Sequence, residues 1–139
     1  LNVHDRLEQV EATGLVPCQK REQFVLKRVQ EARFHLRQIE QHTTKCIRLI
    51  DRALKQPVDN HLRKISAVET KIKEASRHLP LLTLATQYQI KLIVNQAPAS
   101  KGVRDSLRLS QQLYTHLRTH ARTLLTACDT AIENYSAHG

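Results

Sequence analysis

The sequence is poor in residues that break helices and in large aromatic rings. Of its 139 residues only three are Gly and four are Pro, and there are two Phe, three Tyr and no Trp. We therefore predict a core of aliphatic side chains, because aromatic residues, which bury the most area each, are scarce. No two glycines lie close together, which excludes a glycine-rich phosphate-binding loop.

Two other patterns are missing. No stretch alternates β-branched and polar residues with a period of two, so we predict no strands. No apolar run approaches the length of a membrane span, and no signal peptide is visible. The chain lacks Met and starts at Leu1. We expect a single domain over residues 1–139, cut from a larger protein.

Two segments keep an unbroken heptad rhythm. In residues 22–53 and 103–135 the pattern alternates steps of three and four, which is typical of long helices packed side by side. We call these positions the seams. On the first segment they are Glu22, Val25, Val29, Ala32, Leu36, Ile39, Thr43, Cys46, Ile50 and Ala53, and on the second they are Val103, Leu107, Ser110, Tyr114, Leu117, Ala121, Leu124, Cys128, Ala131 and Tyr135.

Pro and Gly punctuate the chain between the periodic segments. Because the connections are short, neighbouring helices must run antiparallel. We predict an all-α fold, an elongated up-down-up three-helix bundle with coiled-coil-like packing. A short helix and turn are expected over residues 1–17, and long helical units over 18–55, 59–95 and 103–136, with the third unit kinked or split at Pro80.

Several local contacts follow from this arrangement. Leu36, Ile39, Leu117 and Leu124 are predicted core residues. Leu7 and Val10 of the short first helix are expected to pack on Phe24 and Phe34, which lie off the seam. Asp59 or Asn60 can cap the helix that begins there.

The three cysteines have no metal-like spacing. Cys46 and Cys128 lie on the seams, so we predict buried free thiols and an intracellular, reducing compartment, cytoplasm or nucleus. Cys18, near a helix start, is the thiol expected to be exposed.

The sequence indicates no catalytic site and no cofactor. His116 and His120 are four residues apart and could contact one metal ion, but zinc needs a third ligand. No residue is fixed in that role, although His35 or His42 on another helix could supply it. We predict no metal site and no enzyme, because the acids do not lie on apolar faces that would raise a pKa.

Charge is the stronger signal. With 22 basic and 13 acidic residues the net charge is +9, and an elongated basic rod attracts polyanions through its summed field. Two basic stripes are predicted to bind a partner. They comprise Lys20, Lys27, Arg48 and Lys55 on the second helix, and Lys101, Arg104, Arg108, Arg118 and Arg122 on the last.

The leading hypothesis is a non-enzymatic interaction or adaptor module that binds an acidic protein or filament. The alternatives are a nucleic-acid-binding domain that works through phosphate contacts and a homo-oligomerising structural domain. An anionic membrane surface is a weaker candidate. No aromatic residues are interleaved with the basic ones, which argues against stacking on single-stranded nucleic acid.

Residues 79–94 form an apolar belt that contains one charged residue, Lys91. Such a belt fits either deep packing of a central helix or a contact between molecules, including a homodimer. The candidate contact residues are Leu82, Ile90, Ile93 and Val94.

Overall fold

The computed structural model describes the backbone of residues 16–56, 58–79, 82, 84, 87, 88, 91 and 102–138, and the side chains of those between 20 and 135. Within these ranges the chain is helical apart from short connections, and it contains no strand. The helices are α1 (Val16–Lys55), α2 (Asp59–Ser76) and α3 (Val103–His138). They pack as a three-helix bundle, which confirms the predicted fold class. Most of the short first helix predicted over 1–17 lies outside the described residues.

α1 starts two residues earlier than predicted. It contains 40 residues, and Pro17 lies in its first turn. A proline is tolerated there because the first N–H groups of a helix have no partner within it. At 1.5 Å per residue α1 is about 60 Å long.

α2 follows after a short connection. Its N-cap residue is Val58, in an extended conformation, and no side chain caps the helix. The prediction of a cap by Asp59 or Asn60 was therefore wrong. Asp59 instead lies in the first turn, where the helix dipole favours a carboxylate.

α2 ends at Ser76, four residues before Pro80. The Leu79 N–H donates to the Ser76 carbonyl oxygen at 3.0 Å, which closes a last turn. Pro80 has no N–H to offer, and its ring would clash with that same carbonyl if the helix continued. Residues 82, 84, 87, 88 and 91 are helical again. The predicted split of the third unit at Pro80 agrees with this arrangement.

Gly102 precedes α3 with a φ of 101°. This left-handed conformation is open to Gly and strained for residues with a Cβ atom. The Gly102 carbonyl accepts the first bond of α3, from the Ser106 N–H at 3.3 Å.

The core is aliphatic, as predicted, and α1 contacts both other helices. Three of the four predicted core residues, Leu36, Ile39 and Leu117, are at most 3% exposed. The buried apolar residues in the described part of the chain are Leu36, Ile39, Cys46, Leu49, Ile50, Ala53, Ile65, Val68, Ile72, Ala75, Leu82, Leu107, Tyr114, Leu117 and Ala121.

The seams are not buried along their whole length. Leu124 is 39% exposed, so its assignment to the core was wrong, and Val25 and Val103 are 57% and 51% exposed. α2 contains only 18 residues, about 27 Å of helix. Of the helices with described bounds, α2 therefore does not extend along the first half of α1 or the last half of α3. Val103 is exposed because α3 begins beyond the end of α1.

Candidate interaction surfaces

Four polar contacts tie α1 to α3 in one antiparallel register. Each step of seven, four and seven residues up α1 is matched by an equal step down α3. The contacts are Arg33 Nε to Asp129 at 2.6 Å, Arg122 Nε to Glu40 at 3.0 Å, Arg118 to the Thr44 hydroxyl at 3.4 Å, and Gln111 Nε2 to Asp51 at 2.6 Å. We call this row the polar ladder.

Two residues of the predicted α3 stripe belong to the polar ladder. Arg118 and Arg122 belong to the ladder, and Arg108 lies 3.6 Å from Asp105. Glu40, which neutralises Arg122, lies on a different helix from it. Arg104 is exposed, with no carboxylate at ion-pair distance among the described residues. Lys101 lies outside the described residues.

This geometry predicts that reversing Arg122 affects stability. The change Arg122→Glu puts a carboxylate opposite Glu40, and we expect a loss of about 0.5–1 kcal/mol, since exposed pairs contribute about that much. Arg104→Glu is the matched control and should cost less. Combining Arg122→Glu with Glu40→Arg should recover most of the loss in urea unfolding. Equal losses for the two single variants would contradict a ladder role for Arg122.

The outer face of α1 carries a denser basic patch than the sequence pattern suggested. Lys45, Arg48, Arg52 and Lys55 follow one another at steps of three, four and three, and all four are exposed. Among the described residues, no carboxylate lies at ion-pair distance from any of them. We call this set the α1 basic face. It includes Arg48 and Lys55 of the predicted stripe and adds Lys45 and Arg52, which lie three or four residues from them.

The pKa of His42 is sensitive to positive charges at the edge of this face. Burial lowers the pKa of its imidazole, and the positive charges of Lys71 and Lys45 lower it further. Lys71 belongs to α2 and Lys45 to α1. Positively charged side chains of both α1 and α2 therefore act on His42.

The other half of α1 combines basic and aromatic side chains. Phe24 and Phe34 are 50% and 60% exposed, and the Arg28 guanidinium lies 5.3 Å from the centre of the Phe24 ring. Lys27 is exposed beside them, and Lys20 is half-buried. The expectation that no aromatic residue accompanies the basic ones was therefore wrong. The proposed covering residues, Leu7 and Val10, lie outside the described part of the chain.

A small polar cluster lies inside the bundle. The Tyr114 hydroxyl of α3 donates to the Glu69 carboxylate of α2, and Cys46 of α1 is fully buried beside them. Burial, and then the negative charge of Glu69, raise the pKa of the Cys46 thiol to about 12. Burial and the bond to Glu69 also raise the pKa of Tyr114. Since the thiolate is the nucleophilic form, Cys46 is chemically inert at neutral pH.

The second thiol on the seams, Cys128, is less buried than Cys46. Cys46 and Cys128 are both free thiols, but Cys128 is only half-buried.

The His35 ring, predicted as a candidate metal ligand, instead stacks on His78 with centroids 4.1 Å apart. In the part of the chain that the structure describes, no three His, Cys, Asp or Glu side chains are grouped to hold a metal ion.

The apolar belt is described at only some positions. Leu82 is 1% exposed and belongs to the core, so at this position the belt packs within the bundle, the first of the two alternatives. Leu84 and Tyr88 are 61% and 63% exposed. Ile90, Ile93 and Val94 lie outside the described residues, and their role stays a prediction.

Comparison with known proteins found no match among protein families, curated proteins or solved structures. None of the described helices combines the length and the apolarity that crossing a bilayer requires. A functional proposal for this chain therefore depends on the surfaces described above.

Proposed function

We propose that this protein is a non-catalytic interaction module that binds an acidic protein or filament through the α1 basic face. One observation carries the proposal. Four exposed basic side chains lie on one side of α1 within eleven residues, about 15 Å of helix, and no described carboxylate lies at ion-pair distance from any of them. Like charges at steps of three and four destabilise a helix slightly, and an acidic partner would relieve that repulsion.

The contrast between the two basic stripes supports this choice. On α3, Arg108, Arg118 and Arg122 already contact groups of their own chain. On α1, Arg48 and Lys55 have no such contact among the described residues. The partner surface therefore centres on α1, with Arg104 as the one member of the α3 stripe that adds a free cation in the described range.

A nucleic acid is the second candidate, favoured by the exposed rings on the other half of α1. Phe24 and Phe34 could stack on unpaired bases while Lys20 and Lys27 contact phosphates. On this hypothesis, binding would need the aromatic half of α1 as well as its basic face. An acidic protein would need the α1 basic face alone.

Inert thiols fit the predicted compartment. Cys46 is buried, free and protonated at neutral pH, which accords with a reducing intracellular environment, cytoplasm or nucleus. Its inertness also fits a module without catalysis.

The test is reversal of the α1 basic face. We expect the combined change of Lys45, Arg48, Arg52 and Lys55 to Glu to weaken binding to an acidic peptide by about 4-fold to several hundredfold, taking about 0.2–1 kcal/mol for each of the four exposed contacts. Wild-type affinity should also fall steeply with added salt. Fluorescence anisotropy with a labelled polyglutamate peptide and with single-stranded and duplex oligonucleotides measures both effects.

The matched control reverses Arg63, Lys64, Lys73 and Arg77, which are exposed elsewhere and change the net charge by the same amount. If both quadruple variants lose affinity equally, net charge and not the α1 basic face governs binding. If only the oligonucleotide binds, and the change Phe24→Ala with Phe34→Ala weakens it, the second candidate replaces the first.

A further inference from the structure

His42 continues the row of side chains that forms the α1 basic face. It precedes Lys45 by three residues, the same step that separates Lys45 from Arg48, so it lies one turn further along the same side of α1. His42 is half-buried, whereas the four cations of the face are exposed. It is also the one member of this row whose side chain is of a type that changes its charge near neutral pH.

His42 lies among cations of two helices. Lys45 belongs to α1 and Lys71 to α2, and the positive charges of both act on the imidazole together with its burial. All three influences lower the pKa of His42, so they favour the neutral ring. Glu40, the acid nearest in the sequence, is paired with Arg122 of α3. In the described part of the chain no carboxylate acts on the pKa of His42.

We propose that His42 is a proton-regulated member of the α1 basic face, neutral in the free protein and protonated when an acidic partner binds. This inference rests on the proposed function, since the partner must lie along this face. A surface rich in carboxylates, laid along Lys45 and Arg48, brings negative charge to the imidazole and offsets the repulsion from Lys45 and Lys71. The proton then adds a fifth cation to the contact.

The direction of the pH dependence follows from this coupling. Negative charge near an imidazole raises its pKa, so the complex keeps the proton on His42 to a higher pH than the free protein does. Because the coupling is reciprocal, a partner whose binding takes up a proton binds more tightly as the pH falls. One proton changes the affinity by at most about tenfold per pH unit.

The test is the affinity for the labelled polyglutamate peptide between pH 8 and pH 6, measured by fluorescence anisotropy at constant ionic strength. The peptide stays ionised over this range, because glutamate titrates near about 4.3. We expect the wild type to bind about three- to tenfold more tightly at pH 6 than at pH 8. His42→Gln should match the wild type at pH 8 and lose most of this gain.

Two further variants sharpen the comparison. His42→Lys should bind at pH 8 about as tightly as the wild type does at pH 6, because a lysine keeps its charge throughout this range. His116→Gln is the control, since His116 is an exposed histidine of α3, and it should leave the pH dependence unchanged. A gain at pH 6 that survives in His42→Gln, or that His116→Gln removes equally, would overturn the proposal.

An NMR titration of the His42 ring separates failure of this inference from failure of the proposed function. In the free protein Lys71→Gln should raise the pKa of His42, because Lys71 is the stronger of the two cations that lower it. Saturating peptide should raise that pKa in the wild type. Binding that requires the α1 basic face but leaves the pKa of His42 unchanged would overturn this inference alone. Binding that is indifferent to reversal of the α1 basic face would overturn the proposed function, and this inference with it.

Discussion

Leu117→Ala is expected to lower the free energy of unfolding by about 2–5 kcal/mol, the usual range for a buried leucine. Leu117 is 3% exposed and lies in the middle of α3, facing the core shared with α1. The truncation removes the three carbon atoms of an isopropyl group from a buried site and leaves a cavity there. Urea unfolding followed by circular dichroism measures the change.

Leu124→Ala is the matched control for this prediction. Leu124 belongs to the same helix and the same seam, one heptad further on, but it is 39% exposed. We expect a cost below about 1.5 kcal/mol, because less apolar area leaves water there on folding. Similar losses at the two positions would show that another part of the chain covers the last half of α3.

Alkaline pH is expected to destabilise the protein strongly. The pKa of the Cys46 thiol is about 12 in the folded protein, whereas a thiol in the unfolded chain titrates near pH 8.5. Below that value both states hold the proton, and the full stability is present. As the pH rises towards 12 the unfolded chain releases the proton and the folded protein does not, so stability falls.

The expected loss is on the order of 2–4 kcal/mol between pH 8 and pH 12, with Tyr114 adding to it above pH 10. Cys46→Ala should flatten the decline from pH 8.5 upward, and Tyr114→Phe should flatten only its upper part. Chemical unfolding at a series of pH values resolves these slopes. A decline with the same slope in Cys46→Ala and in the wild type would show that Cys46 does not cause it.

The helices and their order could be predicted because they depend on local spacing. Heptad steps in residues 22–53 and 103–135 indicate which side of each helix is apolar. Pro80 predicts a break because it has no N–H to donate. Such signals need no knowledge of what lies across the interface. The cap at Val58 was not predictable in this way, since the preference for Asp and Asn at that position is only statistical.

The extent of burial could not be predicted from the same spacing. Leu117 and Leu124 are equivalent in the heptad, yet they are 3% and 39% exposed, a difference that depends on what lies outside α3. Likewise Glu40 neutralises Arg122 although 82 residues separate them. The α3 stripe was predicted from spacing along one helix, which carries no information about an acid on another helix.

The α1 basic face was partly predicted. Arg48 and Lys55, which share one heptad position opposite the seam, were predicted. Lys45 and Arg52 occupy a second position next to it on the surface, so a search at steps of three and four would have found all four. The exposure of Phe34 on the same side required the structure, because its sequence neighbours fit a covered ring equally well.

The polar ladder makes sliding between α1 and α3 costly in both directions. A heptad seam alone tolerates a slip of seven residues, because apolar positions meet apolar positions again. A slip one way would bring Arg33 opposite Arg122, and a slip the other way would bring Glu40 opposite Asp129. Either mispairing sets like charges side by side. The observed alignment is the one in which Arg33 with Asp129 and Glu40 with Arg122 are both paired with opposite charges.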